Sequence, residues 1–357
     1  MLFFCFAVSH THGAHLELIP AEFRGAIQPQ AAMEPDGRVH VVFGKGTAIY
    51  HVSAADNTAA FSAPLKIAGL PKLALGMRRG PRIVAGSHHL IVSAISHDDG
   101  NLHAWISPDH GASWKALSAR VNDVPNAARE GLHAMASDGK GFVAIAWLDL
   151  RNGAMEVQSA VSHDDGVTWG ANVRVYQSPD GHVCECCHPS IAIHSRGEIA
   201  VMFRNWLGGS RDMYLALSND RGATFAPAQK LGSGTWPLKG CPMDGGALAF
   251  DASGQPVTVW RREKAVFLSD IRSGKHLAEP ALQPILIATG EALIPLWEEG
   301  GALMMEQESG KPVRFAANAA FASAASAPGH APVILWESTV SGNKTLMAGR
   351  LPGVPSP

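Results

Sequence analysis

The chain has 357 residues, a formal net charge of −2 at pH 7 and 46% hydrophobic residues. Its isoelectric point is near 6.8 and it carries no basic stripe, which argues against a nucleic-acid partner. No apolar run reaches the eighteen or so residues of a membrane span, while 37 glycines and 23 prolines foretell many tight turns.

In chain order, residues 1–15 open with the short apolar stretch MLFFCFAV and continue with small and polar residues. They read as the remnant of a secretory signal whose basic start is missing, or as a disordered tail. The first reading expects a periplasmic or secreted protein. His10, His12 and His15 cluster there, as a metal site or as part of a floppy tail. From residue 16 to 357 the pattern is that of one domain, all β. A strand over His15–Phe23 is expected to pair with the last strands and so remove an exposed edge.

Period-2 alternation then marks four-stranded units. The first has Ala31–Met33, a turn at Pro35–Gly37, and strands Val39–Phe43 and Thr47–Val52, followed by Ser53-Ala-Ala-Asp56. The second starts near Arg82 and the third near His133. The fourth is the clearest: Ser190–Ser195, a turn at Arg196-Gly197, Glu198–Arg204, a loop over Asn205–Arg211, and Met213–Leu217. A fifth starts near Asp244 and ends in Ser269–Gly274. Beyond residue 285 the pattern blurs. Pro295–Glu306 and Pro332–Leu351 are strand-like and suit one long unit or two short ones, and 317–331, rich in Ala and Ser, is expected to be loop.

An octapeptide recurs at the end of the third strand. It reads SPDHGASW at 107–114, SHDDGVTW at 162–169 and SNDRGATF at 218–225, all fitting S-x-D-x-G-x-[ST]-[WF]. Its members are Ser107, Asp109, Gly111 and Trp114; Ser162, Asp164, Gly166 and Trp169; and Ser218, Asp220, Gly222 and Phe225. The aspartates stand 55 and 56 residues apart (164 − 109 and 220 − 164). A motif recurring above forty residues signals an array of supersecondary units, usually propeller blades. The Asp accepts bonds from its own turn, the Gly supplies a positive φ, the hydroxyl adds a side-chain bond, and the aromatic ring plugs the blade. A structural role is expected, not a catalytic one.

The motif resembles the Asp box, or bacterial neuraminidase repeat, of the sialidase superfamily. The resemblance implies a sialidase-like β-propeller of six blades, with seven left open. It also implies an arginine triad that clamps a carboxylate, an aspartate acid/base in the first blade and a late tyrosine nucleophile activated by a glutamate. The chain departs from that pattern. Phe23-Arg24-Gly25-Ala26 only echoes the arginine motif, Gly44-Lys45-Gly46 stands where the aspartate is expected, and the tyrosines are Tyr50, Tyr176 and Tyr214. The sialidase site therefore reads as degenerate.

The blade frame puts the boxes and the first hairpins on one face. The segments leading into each first strand, and the loops between second and third strands, share the other, where function is expected. That face gathers His182-Val-Cys184-Glu-Cys186-Cys187-His188-Pro189 and Lys239-Gly-Cys241-Pro242-Met-Asp244. If Pro189 and Pro242 are equivalent, four of the five cysteines meet at neighbouring blades. Alternation along an extended segment would point Cys184 and Cys186 one way, towards Cys241, and Cys187 the other. Four readings stay open: disulfides, a thiolate site for Cu(I) or Zn with a nearby histidine, c-type haem attachment through CxxCH, or inert buried thiols.

The same face receives Asp149, Arg151 and Asn152; Arg204, Asn205, Arg211 and Asp212; Arg261, Arg262 and Glu263; and His97, Asp98 and Asp99. The arginines suit a carboxylate clamp or charged loops paired with nearby acids. Three functions follow as expectations. One is a carbohydrate-binding or glycoside-hydrolase-related protein with a small-molecule or glycan ligand at the channel mouth. The second is a metal- or thiol-dependent periplasmic protein, and the third a noncatalytic interaction propeller.

Overall fold

A computed structural model of the protein describes residues 15–55, 60–269, 274–289, 292–307 and 310–351. His10, His12, Cys5, Asp56 and the middle of Ser269–Gly274 lie outside the described residues. The strands assemble into seven four-stranded antiparallel sheets. Blade one runs over Ile27–Gly69, blade two over Arg82–Ala116, blade three over His133–Tyr176 and blade four over Ser190–Lys230. Blade five runs over Ala247–Ala278, blade six over Leu282–Ala317 and blade seven over Ala320–Arg350. Blade seven takes its fourth strand from the N-terminus: Leu16 and Glu17 pair with Ala348 and Met347. The first strand of every blade packs against the first strand of the next, and blade seven's against blade one's, so the ring closes.

The count is seven, the alternative to the expected six. The two strand-like stretches after residue 285 belong to two different blades. The Ala- and Ser-rich segment expected to be loop is instead partly a strand, Ala320–Ala325, the innermost of blade seven. Small side chains suit a strand at the crowded centre of the ring, where Ala322 and Ser323 are buried. The signal of bulky β-branched residues is therefore weakest where the chain is most central.

The core lies between blades. Each main cluster mixes side chains of two neighbours, as where Leu148, Val157 and Ile199, Val201 and Phe203 join blades three and four. Second strands carry the large rings: Phe43, Trp147, Phe203, Trp260, Trp297 and Trp336 are each at most 2% exposed.

The three boxes fold alike. Ser107 Oγ donates to Asp109 Oδ1 at 2.8 Å and accepts Gly111 N–H at 2.8 Å, while Ser113 donates N–H and O–H to Asp109 at 2.9 and 2.6 Å. The set repeats around Asp164 and Asp220. Gly111, Gly166 and Gly222 have φ of 85°, 75° and 86°. A Cβ on any of them would also collide with His51, Ile91 or Val161, since each box presses on the neighbouring blade.

A cysteine trio at the mouth of the ring

The cysteines gather on the face that carries the segments leading into the first strands. The segment that leads into blade four is held extended where Val183 N–H meets Met155 O at 2.9 Å and Cys184 N–H meets Arg204 O at 2.9 Å. A turn at Glu185-Cys186 then folds it back. That turn breaks the expected alternation: Cys187 rejoins its neighbours instead of pointing away. Cys184 Sγ lies 3.6 Å from Cys186 Sγ and 3.7 Å from Cys187 Sγ, and all three sulfurs fall within 4.8 Å of one another. They are 1%, 8% and 1% exposed.

These distances decide between readings. A disulfide needs about 2.05 Å, and Cys184, Cys186, Cys187 and Cys241 are all free; the disulfide expectation fails among the described residues. A metal at about 2.3 Å from each thiolate puts tetrahedral sulfurs about 3.8 Å apart, close to the spacing observed. Haem attachment is also unsuited, because the thiols are buried and the His188 ring is turned to Gly246 O at 3.1 Å.

The surroundings favour negative sulfur. Arg211 Nη1 donates to Cys184 Sγ at 2.9 Å and Asp244 N–H to Cys187 Sγ at 3.4 Å. Bonds from the Cys186 and Cys187 thiols hold the Cys184 thiol well below its usual range, against burial and with help from Arg211. Its two partners move the other way, Cys186 through sharing with Cys184 and Cys187 chiefly through burial.

Cys241 is exposed and lies outside the trio. The frame that equated Pro189 with Pro242 is shifted: the first strands open at Ser190 and Ala247, so Gly246 is the counterpart of Pro189, and Cys241 that of Cys184. His188 is not part of the trio either. Burial, then Arg78 and Arg82, hold its pKa near 3, so it stays neutral.

The arginines have protein partners. Arg204, 1% exposed, gives every bond to backbone carbonyls, those of Asp244, Arg211 and Arg261, and lies over Trp236. Arg261 lies 3.3 Å from Asp244 and over the same ring. Arg262 lies over Trp260 and Phe267. Asp149 holds Arg151 at 2.9 Å and Trp147 Nε1 at 2.7 Å, and Arg151 also reaches Asp123 and Glu156. Asn205 Nδ2 donates to Tyr176 Oη at 3.0 Å. His97 bonds Arg129 O, Asp98 pairs with Lys72 and Asp99 with His103. The structure thus brings Arg204, Arg211, Arg261 and Asp244 around the trio, and leaves Asp149 and Arg151 in their own network.

Several central groups escaped the sequence reading. Arg78 precedes blade two yet bonds Gln283 Oε1 at 2.7 Å and Ala322 O at 2.6 Å, in blades six and seven. Gln283 in turn holds Asp244 and Met243. The signal was available, since Arg78 occupies the segment leading into its blade just as the cysteines do. Beside them, a cleft of about 350 Å³ is lined by Arg261, Glu263, Lys264, Leu282, Glu298 and Glu299, among others. Burial pushes Glu298 up to about 7, against the pull of Arg78.

A Cβ on Gly44 would lie 2.3 Å from Leu75 Cδ2, leaving no room for an aspartate. Arg24 pairs with Glu17. Tyr50 packs against Phe23 and Phe43, and Tyr176 and Tyr214 against Phe203; none stands on an innermost strand.

Residues 88–234 match the BNR repeat-like domain. No curated protein matches the chain in sequence. Among solved structures, a polysaccharide lyase of family PL25, an ulvan lyase, is 12% identical, with 93% of this chain and 95% of that chain covered at a TM-score of 0.57. An α-L-arabinofuranosidase from Fusarium graminearum is 13% identical, covering 95% and 98% at 0.54. A Trypanosoma rangeli sialidase is 11% identical, covering 96% of this chain and 60% of its own at 0.51. No helix among the described residues is long and apolar enough to cross a membrane. Boxes, blades and these likenesses make the chain a sialidase-like β-propeller with BNR repeats.

Proposed function

We propose that the protein holds one soft metal ion, Cu(I) or Zn, on Cys184, Cys186 and Cys187 at the mouth of its propeller. One observation carries the reading: three buried sulfurs stand 3.6 and 3.7 Å from a common member, the spacing of thiolates sharing a metal. Binding releases thiol protons and leaves a negative cluster, which Arg211 and the Asp244 N–H are aimed to stabilise. An exported location, expected from the N-terminal residues, suits such a site.

The test is a titration of reduced, oxygen-free protein against chromophoric Cu(I) and Zn chelators. We expect one ion per chain, lost when Cys184, Cys186 and Cys187 are all replaced by Ser. Equal retention by the triple variant, or no competition by the wild type, overturns the reading. Sialoside cleavage is not expected: a fluorogenic sialoside should be turned over no faster than in buffer.

A second reading rests on the cleft between blades five and six. Its volume of about 350 Å³ and its mixed lining of Arg261, Lys264, Glu263, Glu298 and Glu299 suit an oligosaccharide, and a polysaccharide lyase has the same fold. Saturable shifts on titration with uronate oligosaccharides, abolished by Lys264→Glu, would support it; a flat titration would remove it.

A further inference from the structure

The trio has a fourth sulfur beside it. Among the described residues, Met243 is the one partly buried hydrophobic residue that packs on Cys184, Cys186 and Cys187. Resting on the three-cysteine reading above, we propose that the Met243 thioether is a fourth ligand, and that it selects Cu(I) over Zn.

The first support is composition. A cluster of four sulfur side chains, with no aliphatic or aromatic member among its described residues, is not assembled to bury hydrocarbon. Methionine does fill irregular gaps in cores, but here it packs on thiols rather than on hydrocarbon. The second is backbone conformation. Met243 has φ 53°, a left-handed value that disfavours any residue with a Cβ and persists only where the surroundings impose it. They do so on three successive carbonyls: Arg261 Nη2 donates to Pro242 O at 3.2 Å, Gln283 Nε2 to Met243 O at 2.8 Å and Arg204 Nη2 to Asp244 O at 2.9 Å. Asp244 N–H then reaches Cys187 Sγ. The chain is turned at Met243 so that one residue offers its side chain to the trio and the next its N–H.

The third is chemistry. A thioether is neutral and soft. It adds donor strength to Cu(I) without further charge, whereas Zn is a borderline ion that takes imidazole and carboxylate as readily. Neither is present in the trio: His188 lies outside it and Asp244 turns its carboxylate to Gln283 and Arg261. Three thiolates with Cu(I) carry a charge of −2. Arg211, in contact with Cys184, and Arg204 behind Asp244 supply two positive charges.

The test has two arms on the full chain. In the first, selenomethionine protein is loaded with Cu(I) and examined by X-ray absorption at the Cu and Se edges. A Cu–Se vector is expected in the wild type and absent in Met243→Leu. In the second, Met243→Leu is titrated against the Cu(I) and Zn chelators. Cu(I) affinity should fall about 10–100-fold, the usual scale for a supporting metal contact, while Zn affinity is unchanged. A wild type that binds Cu(I) with sulfur alone and shows no Cu–Se vector overturns the assignment and leaves the three-cysteine site standing. Equal Cu(I) affinity in Met243→Leu overturns it as well. A wild type that binds Zn but no Cu(I) overturns the Met243 assignment alone, and one that binds neither metal sinks both readings together. If Met243→Leu fails to fold, the Cu–Se vector of the wild type alone decides.

Discussion

At the scale of single residues, buried titratable groups set the pH response. Glu298 is 9% exposed and accepts Phe321 N–H at 2.6 Å; burial raises its pKa from 4.5 to about 7. The native state therefore binds more protons than the unfolded one between these values, and stability falls as pH rises through that window. The full effect is about 3 kcal/mol. Glu298→Gln keeps the acceptor for Phe321 and removes the charge. Its melting temperature should exceed that of the wild type at pH 8 and match it at pH 4.5. Two histidines act with the opposite sign. His51 and His133 are 2% and 0% exposed; burial takes the first from 6.5 to about 3 and the second well below 6.5. They stay neutral in the native state while the unfolded chain protonates, so their contribution is complete above 6.5 and is lost as pH falls towards 3. Urea unfolding of Glu298→Gln from pH 8 to pH 4 should show a monotonic loss of stability. A maximum near pH 5 in that variant would refute the assignment of the histidines.

At the scale of elements, the Asp box binds neighbouring blades as well as its own turn. Asp165, beside the motif aspartate, accepts Ser87 N–H at 2.8 Å, Ser87 O–H at 2.8 Å and His88 N–H at 2.7 Å, all from the first hairpin of blade two. Asp164→Ala should cost about 1–3 kcal/mol through unsatisfied turn donors. Asp165→Ala strands three partners of a 3% exposed carboxylate and should cost about 3–5 kcal/mol. Urea midpoints order the two, and neither change should alter metal stoichiometry. The box was legible because S-x-D-x-G-x-[ST]-[WF] carries its own bonds within eight residues. The blade count was not, because the boxes stop at Phe225. Trp297 and Trp336 mark the last two blades just as Trp147 and Trp260 mark earlier ones, but one ring per blade is a weaker signal than an octapeptide. The clustering of the cysteines was legible in their spacing. Their geometry was not, since the backbone around Met243 depends on carbonyl bonds from Arg204, Arg261 and Gln283, which lie up to 40 residues away.

At the scale of the whole molecule, bonds on both faces fasten neighbouring blades. On the box face, His110 bonds Glu34, Asp165 holds Ser87 and Arg221 lies over Phe142, joining blades one to four. On the functional face, buried carboxylates each accept the N–H of a left-handed residue that opens the next blade. Asp244 takes Gln283, Glu298 takes Phe321 and Glu337 takes Gln28, joining blades five to seven and then blade one. The junction of blades seven and one also carries the N-terminal strand. Leu18 and Ile19, 3% and 2% exposed, enter the core between these blades, and Leu18 N–H bonds Leu346 O at 2.8 Å. Removing residues up to Ile19 forfeits about 3–6 kcal/mol of apolar burial, a large part of an ordinary domain's stability. It also bares the edge of Asn343–Arg350 to other chains. The truncated protein should melt well below the full chain and scatter light at micromolar concentration. Glu337→Ala should lower the melting temperature without scattering, because it loosens the same junction and leaves the edge covered. The cysteine trio lies between blades four and five, away from this seam. Below the melting temperature both variants should therefore bind one metal ion per chain as the wild type does, and loss of that stoichiometry would show that the trio depends on tension around the whole ring rather than on the carbonyl bonds that shape it locally.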